Sequence, residues 1–482
     1  MVMESTPKSV PEATSAGSWN MKGDTRASHK IRNYGILLVT LIVLSILIAI
    51  LVIYVNALSA LGYKQPHIVL LLPDDLGWND VGWNNPDLKM PILNQLAADG
   101  VIFNQTYVQP SCTPSRSSLM TGLYPFKTGN QHRMLFGLER SGLPLEFKLL
   151  PQSLKDVGYL THALGKWHLG FCKKEYLPTS RGFDSHYGQL GGGASHWTKE
   201  TSMFAQGYDF RDNSGVVQKS DTYLTFMLAE RAAEIIMGHF KEYPLYLQFN
   251  LDTPAKSLEV PPEYEALYSD IADNRTRKFY GKLSVMDDAV GTVVEALKTR
   301  GMWDDTLLIF MSDNGALATQ SGSNWPLRGI AATLFEGATR VPAFIHGKPG
   351  IDGIDMWETF SMGKPSPRKE FVYNIDDFEP SPGAAISPVS DCNIYVLSLA
   401  MNINNRARIL FIKNKKFLSS LASRLYDPEE RNNTADLYPE IVQALRTRLD
   451  EYREDLVPPI DDTPDLAGLP SNFDGVWSPG WC

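Results

Sequence analysis

The segment CTPSRSSLMTG, Cys112 to Gly122, sets a thiol two residues before a proline and four before an arginine. Proline is favoured in a first helical turn, so the spacing predicts a helix here with Cys112 just before its amino end. Backbone N–H groups and the helix dipole stabilise negative charge at such a place. Taken alone, the cysteine reads as an ordinary buried thiol. Elsewhere, polar groups close three apolar runs: Asp74-Asp75 end HIVLLLP, Lys166 and His168 follow YLTHALG, and Asp313-Asn314 follow TLLIFMS. Each alone is a turn or a cap. Together, three carboxylates and an amide oxygen make a hard oxygen set, suited to Ca²⁺ or Mg²⁺ and poor for zinc. A divalent cation held there would draw an anionic substrate.

These groups can meet only if the elements that carry them are neighbours. HIVLLLP (67–73), YLTHALG (159–165), PLYLQFNL (244–251) and TLLIFMS (306–312) read as short buried strands. Between them, 91–100, 151–158, 221–240 and 275–301 carry helical apolar spacing. That alternation predicts an α/β domain with a mainly parallel sheet, whose ligands bind at the carboxyl ends of the strands. Asp74, Lys166 and Asp313 stand at three such ends. The glycine-rich GQLGGGASH (188–196) lacks a strand-to-helix context and reads as a loop, not a phosphate cradle.

The chain has 482 residues, 43% of them hydrophobic, enough for one large core or a large core with a smaller one. A formal net charge of -9 gives no basic field, and a nucleic-acid partner is not expected. The four cysteines, Cys112, Cys172, Cys392 and Cys482, include no C-x-x-C pair and predict neither a zinc ribbon nor a disulfide scaffold. Gly35 to Val55 is an uncharged apolar run preceded by Lys22, Arg26, Lys30 and Arg32. Composition there predicts a signal-anchor across the membrane at 35–55, with residues 1–34 a cytoplasmic tail and the body lumenal or extracellular, a single-pass type II arrangement. A cleaved signal peptide ending near Ala57-Leu58-Ser59 is the alternative. Sequons at Asn104, Asn274 and Asn432 agree with the secretory pathway, possible lysosomal delivery included.

C-T-P-S-R followed by L-M-T-G resembles the signature of the sulfatase family. PDDLGWNDVGW, GKWHLGF, PTSRGFD, SDNG, SNWPLRG, SPRKEFVYNIDD, YDPEER and GVWSPGW occur in the order found in that family, its arylsulfatase B branch in particular. The resemblance implies an alkaline-phosphatase-like fold: a large mainly parallel or mixed sheet between helices over about 64–350, and a smaller antiparallel-sheet subdomain over 371–482. It also implies that a formylglycine-generating enzyme oxidises Cys112 to formylglycine during biosynthesis. One Ca²⁺ would be held by Asp74, Asp75, Asp313, Asn314 and the group at Cys112. Arg116 would steady the hydrated aldehyde, Lys166 would bind a sulfate oxygen, and His168 would accept a proton. The implied substrates are sulfate esters of glycosaminoglycan-type sugars, or aryl sulfates.

The pattern also breaks. Relatives carry a V-H-x-P element before the segment that here reads VPPEY, its histidine protonating the leaving oxygen; this chain reads LDTPAKSLEVPPEY, with no histidine between His239 and His346. A second lysine expected after NWPLRG is absent, with Ala331 in its place, and a segment after 350 is missing. Loss of a general acid and of a sulfate-binding cation would slow an enzyme steeply. An impaired sulfatase fold that binds sulfated glycans is therefore the rival expectation, and an alkaline-phosphatase-like phosphodiesterase a third.

Overall fold

The computed structural model describes residues 37–51 and 65–482, apart from 133, 202–204, 256, 318–320, 348–393, 398–407, 414–418, 424–426 and 428. Residues Met1–Gln65 form one unit and Pro66–Cys482 another. The 35–55 expectation is corrected in the first. Its described helix covers residues 37–51, roughly 22 Å at about 1.5 Å per residue, against about 30 Å of hydrocarbon. Among the described residues no helix is long and apolar enough to cross a membrane, and the type II placement drawn from that run falls with it. Residues 35, 36 and 52–55, the 1–34 tail and the 57–59 cleavage spacing lie outside the described residues.

In the second unit, buried apolar runs form strands and amphipathic runs form helices, as their periods require. Strand β1 (His67–Asp74) is followed by helix α1 (Pro91–Asp99), β2 (Val101–Tyr107) and helix α2 (Cys112–Thr121). Next come α3 (Leu150–Asp156), β3 (Leu160–Gly165), β4 (Ser185–Gly188), β5 (Arg211–Asp212) and β6 (Gly215–Val216). Helix α4 (Leu224–Gly238), β7 (Leu245–Pro254), α5 (Asn274–Arg300), β8 (Thr306–Met311) and β9 (Arg340–His346) complete the large layer system.

One nine-stranded sheet runs β2-β9-β8-β1-β7-β3-β4-β5-β6. Its centre, β8-β1-β7-β3-β4, is parallel; β2 and β9 on one side and β5 and β6 on the other pair antiparallel. The sheet is thus mixed around a parallel middle. Both faces of β1 are covered. Val69 and Leu71 pack with Leu228 and Ile236 of α4 and Leu283 and Val290 of α5, whereas Leu70 packs with Met120, Leu149 and Trp167. Full burial of such a side chain contributes about 1.5–3 kcal/mol. Because β8, β1, β7 and β3 are adjacent and parallel, their carboxyl ends share one rim.

Beyond 371, three strands form an antiparallel sheet: β10 (Ile394–Leu397), β11 (Arg408–Lys413) and β12 (Ser419–Ser423). Helix α6 (Pro439–Arg453) follows, burying Leu445 and Leu449 against Phe126.

Cys172 and Cys482 are joined, with Cα atoms 5.5 Å apart and a sequence separation of 310. The bond anchors a tail whose Trp477 packs with Leu138, Phe171 and Leu190. Cys392 lies outside the described residues. Cys482→Ser is expected to lower stability by about 2–5 kcal/mol in urea unfolding, because so long a closed loop restricts the unfolded chain strongly; an unchanged midpoint would show that the tail packs without its tether.

Candidate active site

Helix α2 begins at Cys112, one residue earlier than a start just after the thiol, with Ser111 as its N-cap. Pro114 sits in its first turn, and Gly122, at φ 71°, ends it in the left-handed conformation that glycine adopts at least cost. The helix delivers Cys112 and Arg116 to the rim. Asp75 follows β1 at φ 58° and His168 follows β3 at φ 62°, a backbone region that is costly for side-chain-bearing residues and concentrates at functional sites.

The expected residues converge. Cys112, Asp74, Asp75 and Asp313 offer ligand atoms all within 4.8 Å of one another, and all four are buried. Cys112 Sγ lies 3.5 Å from Asp74 Oδ1 and 3.6 Å from Asp75 Oδ1. Asn314 Nδ2 donates to Asp75 Oδ1 at 2.6 Å, and the Asp75 backbone N–H donates to Asp313 Oδ1 at 3.1 Å. Two buried cations close the cluster. Lys166 Nζ meets Asp74 Oδ1 at 2.6 Å. Arg116 grips Asp313 Oδ2 through Nε at 3.1 Å and Nη2 at 2.9 Å, and donates from Nη1 to the Lys166 carbonyl at 3.1 Å.

His168 stands at the edge of this group. Its carbonyl accepts from Thr113 Oγ1 at 3.1 Å, and its Nε2 lies 2.7 Å from the Leu135 carbonyl. That oxygen is only an acceptor, so Nε2 carries the proton and Nδ1 is the basic nitrogen of the neutral ring. A cleft lined by Leu135, His168, Phe171, Gly191, Gly192 and Trp477 opens beside it. The 188–196 loop forms part of that wall and packs on Lys166. A Cβ at Gly192 would stand 2.6 Å from Lys166 Cε, so a larger residue there would push the Lys166 side chain aside.

The electrostatics are those of a site with too much buried acid. Burial pushes Asp74 up, but Lys166 and Arg116 more than reverse this and hold it well below the usual carboxylate range. Burial and the Asp74 charge push Asp75 up to about 6 and Asp313 up to about 7. Burial, with Asp313 and Asp74 beside it, drives the Cys112 thiol well above its ordinary value. Three carboxyls face two cations. The Asn314 Oδ1 is buried with no hydrogen-bond partner among the described residues. An unpaired amide oxygen beside carboxyls forced toward neutrality is a donor set that a hard divalent cation satisfies.

Sequence reasoning passed over Asp252. It lies in β7, 4% exposed, with burial and the Asp74 charge pushing it up to about 7 against Lys166 and Arg116. The signal was present, since a carboxylate also ends the apolar run of PLYLQFNL. Ala331, where a second lysine was expected, is buried and donates its N–H to the Ala316 carbonyl.

A parallel-centred mixed sheet with acids, an amide and a helix-borne Cys-x-Pro-x-Arg on one rim defines a sulfatase, and the chain belongs to the sulfatase family: the family profile "Sulfatase" matches residues 66–378. Arylsulfatase J of Mus musculus is 33% identical over 87% of this chain and 81% of its own length. N-acetylgalactosamine-6-sulfatase of Homo sapiens is 30% identical over 59% of this chain, which spans 58% of that relative's length. Among solved structures, Ps i-CgsB superposes with a TM-score of 0.70 at 25% identity, covering 82% of this chain and 94% of that one.

Proposed function

We propose that this chain hydrolyses sulfate esters of sugars or aryl sulfates, with Cys112 converted to formylglycine by a formylglycine-generating enzyme and one Ca²⁺ at the oxygen cluster. The observation that carries this reading is the convergence of Cys112, Asp74, Asp75, Asp313 and Asn314 in one buried place flanked by Lys166 and Arg116. The encoded thiol is a poor nucleophile there, because burial and then the Asp313 and Asp74 charges keep it protonated. The hydrated aldehyde and the cation together would supply an oxygen nucleophile at neutral pH and positive charge beside the sulfate.

The chain's own side chains do the rest. Asp74, Asp75, Asp313 and Asn314 hold the cation. Arg116, fixed by Asp313 and by the Lys166 carbonyl, keeps the first turn of α2 in register with the strand ends. Lys166 offers its ammonium to a sulfate oxygen, a charge-assisted bond of the stronger kind. His168, with Nε2 committed to Leu135, has Nδ1 to accept the nucleophile's proton. The names of the relatives, an arylsulfatase and an N-acetylgalactosamine-6-sulfatase, support aryl and amino-sugar sulfates as first substrates to try.

The test is mass spectrometry of the peptide carrying residue 112, paired with turnover of 4-methylumbelliferyl sulfate. Aldehyde at 112 together with turnover is expected. Aldehyde without turnover of any sulfate ester would favour a binder of sulfated glycans instead.

A further inference from the structure

One buried acid at the rim has no task in the scheme above. Asp252 is on β7, between the strands that carry Asp74 and Lys166. Along β1 and β7, Pro73 pairs with Leu251 but Asp74 pairs with Pro254, so Asp252 and Thr253 are extra residues in a bulge beside Asp74. Bulges re-aim side chains and gather next to active sites. Both carboxylate oxygens of Asp252 are buried and have no hydrogen-bond partner among the described residues. Thr253, by contrast, is satisfied by Thr225 at 3.0 Å. The chain leaving the bulge is held by Lys282 of α5, whose buried Nζ donates to the carbonyls of Pro254 at 2.9 Å, Ala255 at 2.9 Å and Ser257 at 2.6 Å.

A buried carboxyl without partners costs stability unless something bound to the protein meets it. The bulge sets it beside Asp74, whose carboxylate bonds Lys166 and Arg116 on the same rim. The cation's donors are already supplied by other strands. What such a site still lacks is a group for the oxygen that departs from sulfur.

We propose that Asp252 is a catalytic residue whose carboxyl meets the ester oxygen of the substrate and gives it a proton as the alcohol leaves. This rests on the sulfate-ester reading above. The bond between sulfur and the ester oxygen breaks, its electron pair stays on that oxygen, and the Asp252 proton completes the alcohol's hydroxyl. The incoming oxygen forms the new bond to sulfur. The Asp252 carboxylate left behind regains a proton from water before the next turnover.

The experiment compares Asp252→Asn with wild type on two esters, 4-nitrophenyl sulfate, whose phenolate departs unaided, and N-acetylgalactosamine 6-sulfate, whose alcohol does not. The amide keeps shape and loses the proton. Turnover of the sugar ester is expected to fall by about 10²–10⁴-fold while the 4-nitrophenyl ester loses less than about tenfold. The second rate also certifies that the variant folds. Asp252→Glu, which keeps an acid, is expected to retain more of the sugar-ester rate than Asp252→Asn. Equal losses on both esters, or a parallel loss of Ca²⁺ affinity by calorimetry, would overturn the assignment and make Asp252 a structural or metal-binding group. A wild type inert toward both esters overturns the hydrolase reading itself.

Discussion

Cys112→Ser is expected to stop steady turnover of sulfate esters, by about 10⁴–10⁶-fold, while leaving the fold intact. The substitution puts a hydroxyl where the thiol stands, 3.5 Å from Asp74 Oδ1 and beside Asp75. That hydroxyl can attack sulfur once. The ester it forms has no second hydroxyl on the same carbon, so no carbonyl can form to expel sulfate, and the enzyme is left blocked. At most one equivalent of alcohol per chain should be released, with a sulfate adduct on the peptide that carries residue 112. Serine occupies nearly the same volume at the start of a helix whose far end is closed by Gly122, so thermal unfolding should move little. Continued multiple turnover by the serine variant would contradict a role for formylglycine, whatever the cluster around it binds.

The rim was legible because charge interrupts apolar runs so abruptly at Asp74, Lys166 and Asp313; a buried parallel strand tolerates such residues only at its end. Asp252 breaks the same rule in the same way, but LDTP was weighed for the histidine it lacks and not for the acid it has. The outer strands were harder. β2, VIFNQTY, is an exposed edge with polar residues inside it, and its pattern is that of a loop. β9 is led by Arg340 and carries Pro342, which demotes a run to edge or non-strand, although here it pairs on both sides. The Cys172–Cys482 bond had no local signal, since pairing over 310 residues is decided by the fold alone. Composition misled most at 35–55. An apolar run of sufficient length in sequence was equated with a helix of that length, and the described helix is shorter.

Stripping the cation is expected to lower turnover by roughly 10³-fold or more, because it is the charge that would balance both nucleophile and sulfate. The more discriminating measurement is binding against pH. Without the cation, Asp75 rises to about 6 and Asp313 to about 7, both driven by burial and by Asp74, while Asp74 itself stays ionised. These two carboxyls therefore hold protons in the folded state that the unfolded chain has lost. As pH climbs from about 4 to 7, their contribution to the stability of the cation-free protein declines. A cation must displace those protons to bind, so below their values its affinity falls by roughly tenfold per pH unit for each proton released. Calorimetric titration of chelator-treated protein with Ca²⁺ at pH 7, 6 and 5 should show progressive weakening, with an observed heat that varies with buffer ionisation enthalpy as released protons are taken up. At a free concentration about 100 times the dissociation constant, Ca²⁺ adds about 2.7 kcal/mol of stability, so at a fixed concentration the thermal shift should shrink on acidification. Binding indifferent to pH across that range would mean that Asp75 and Asp313 are not ligands, and the cation, if any, would have to sit elsewhere.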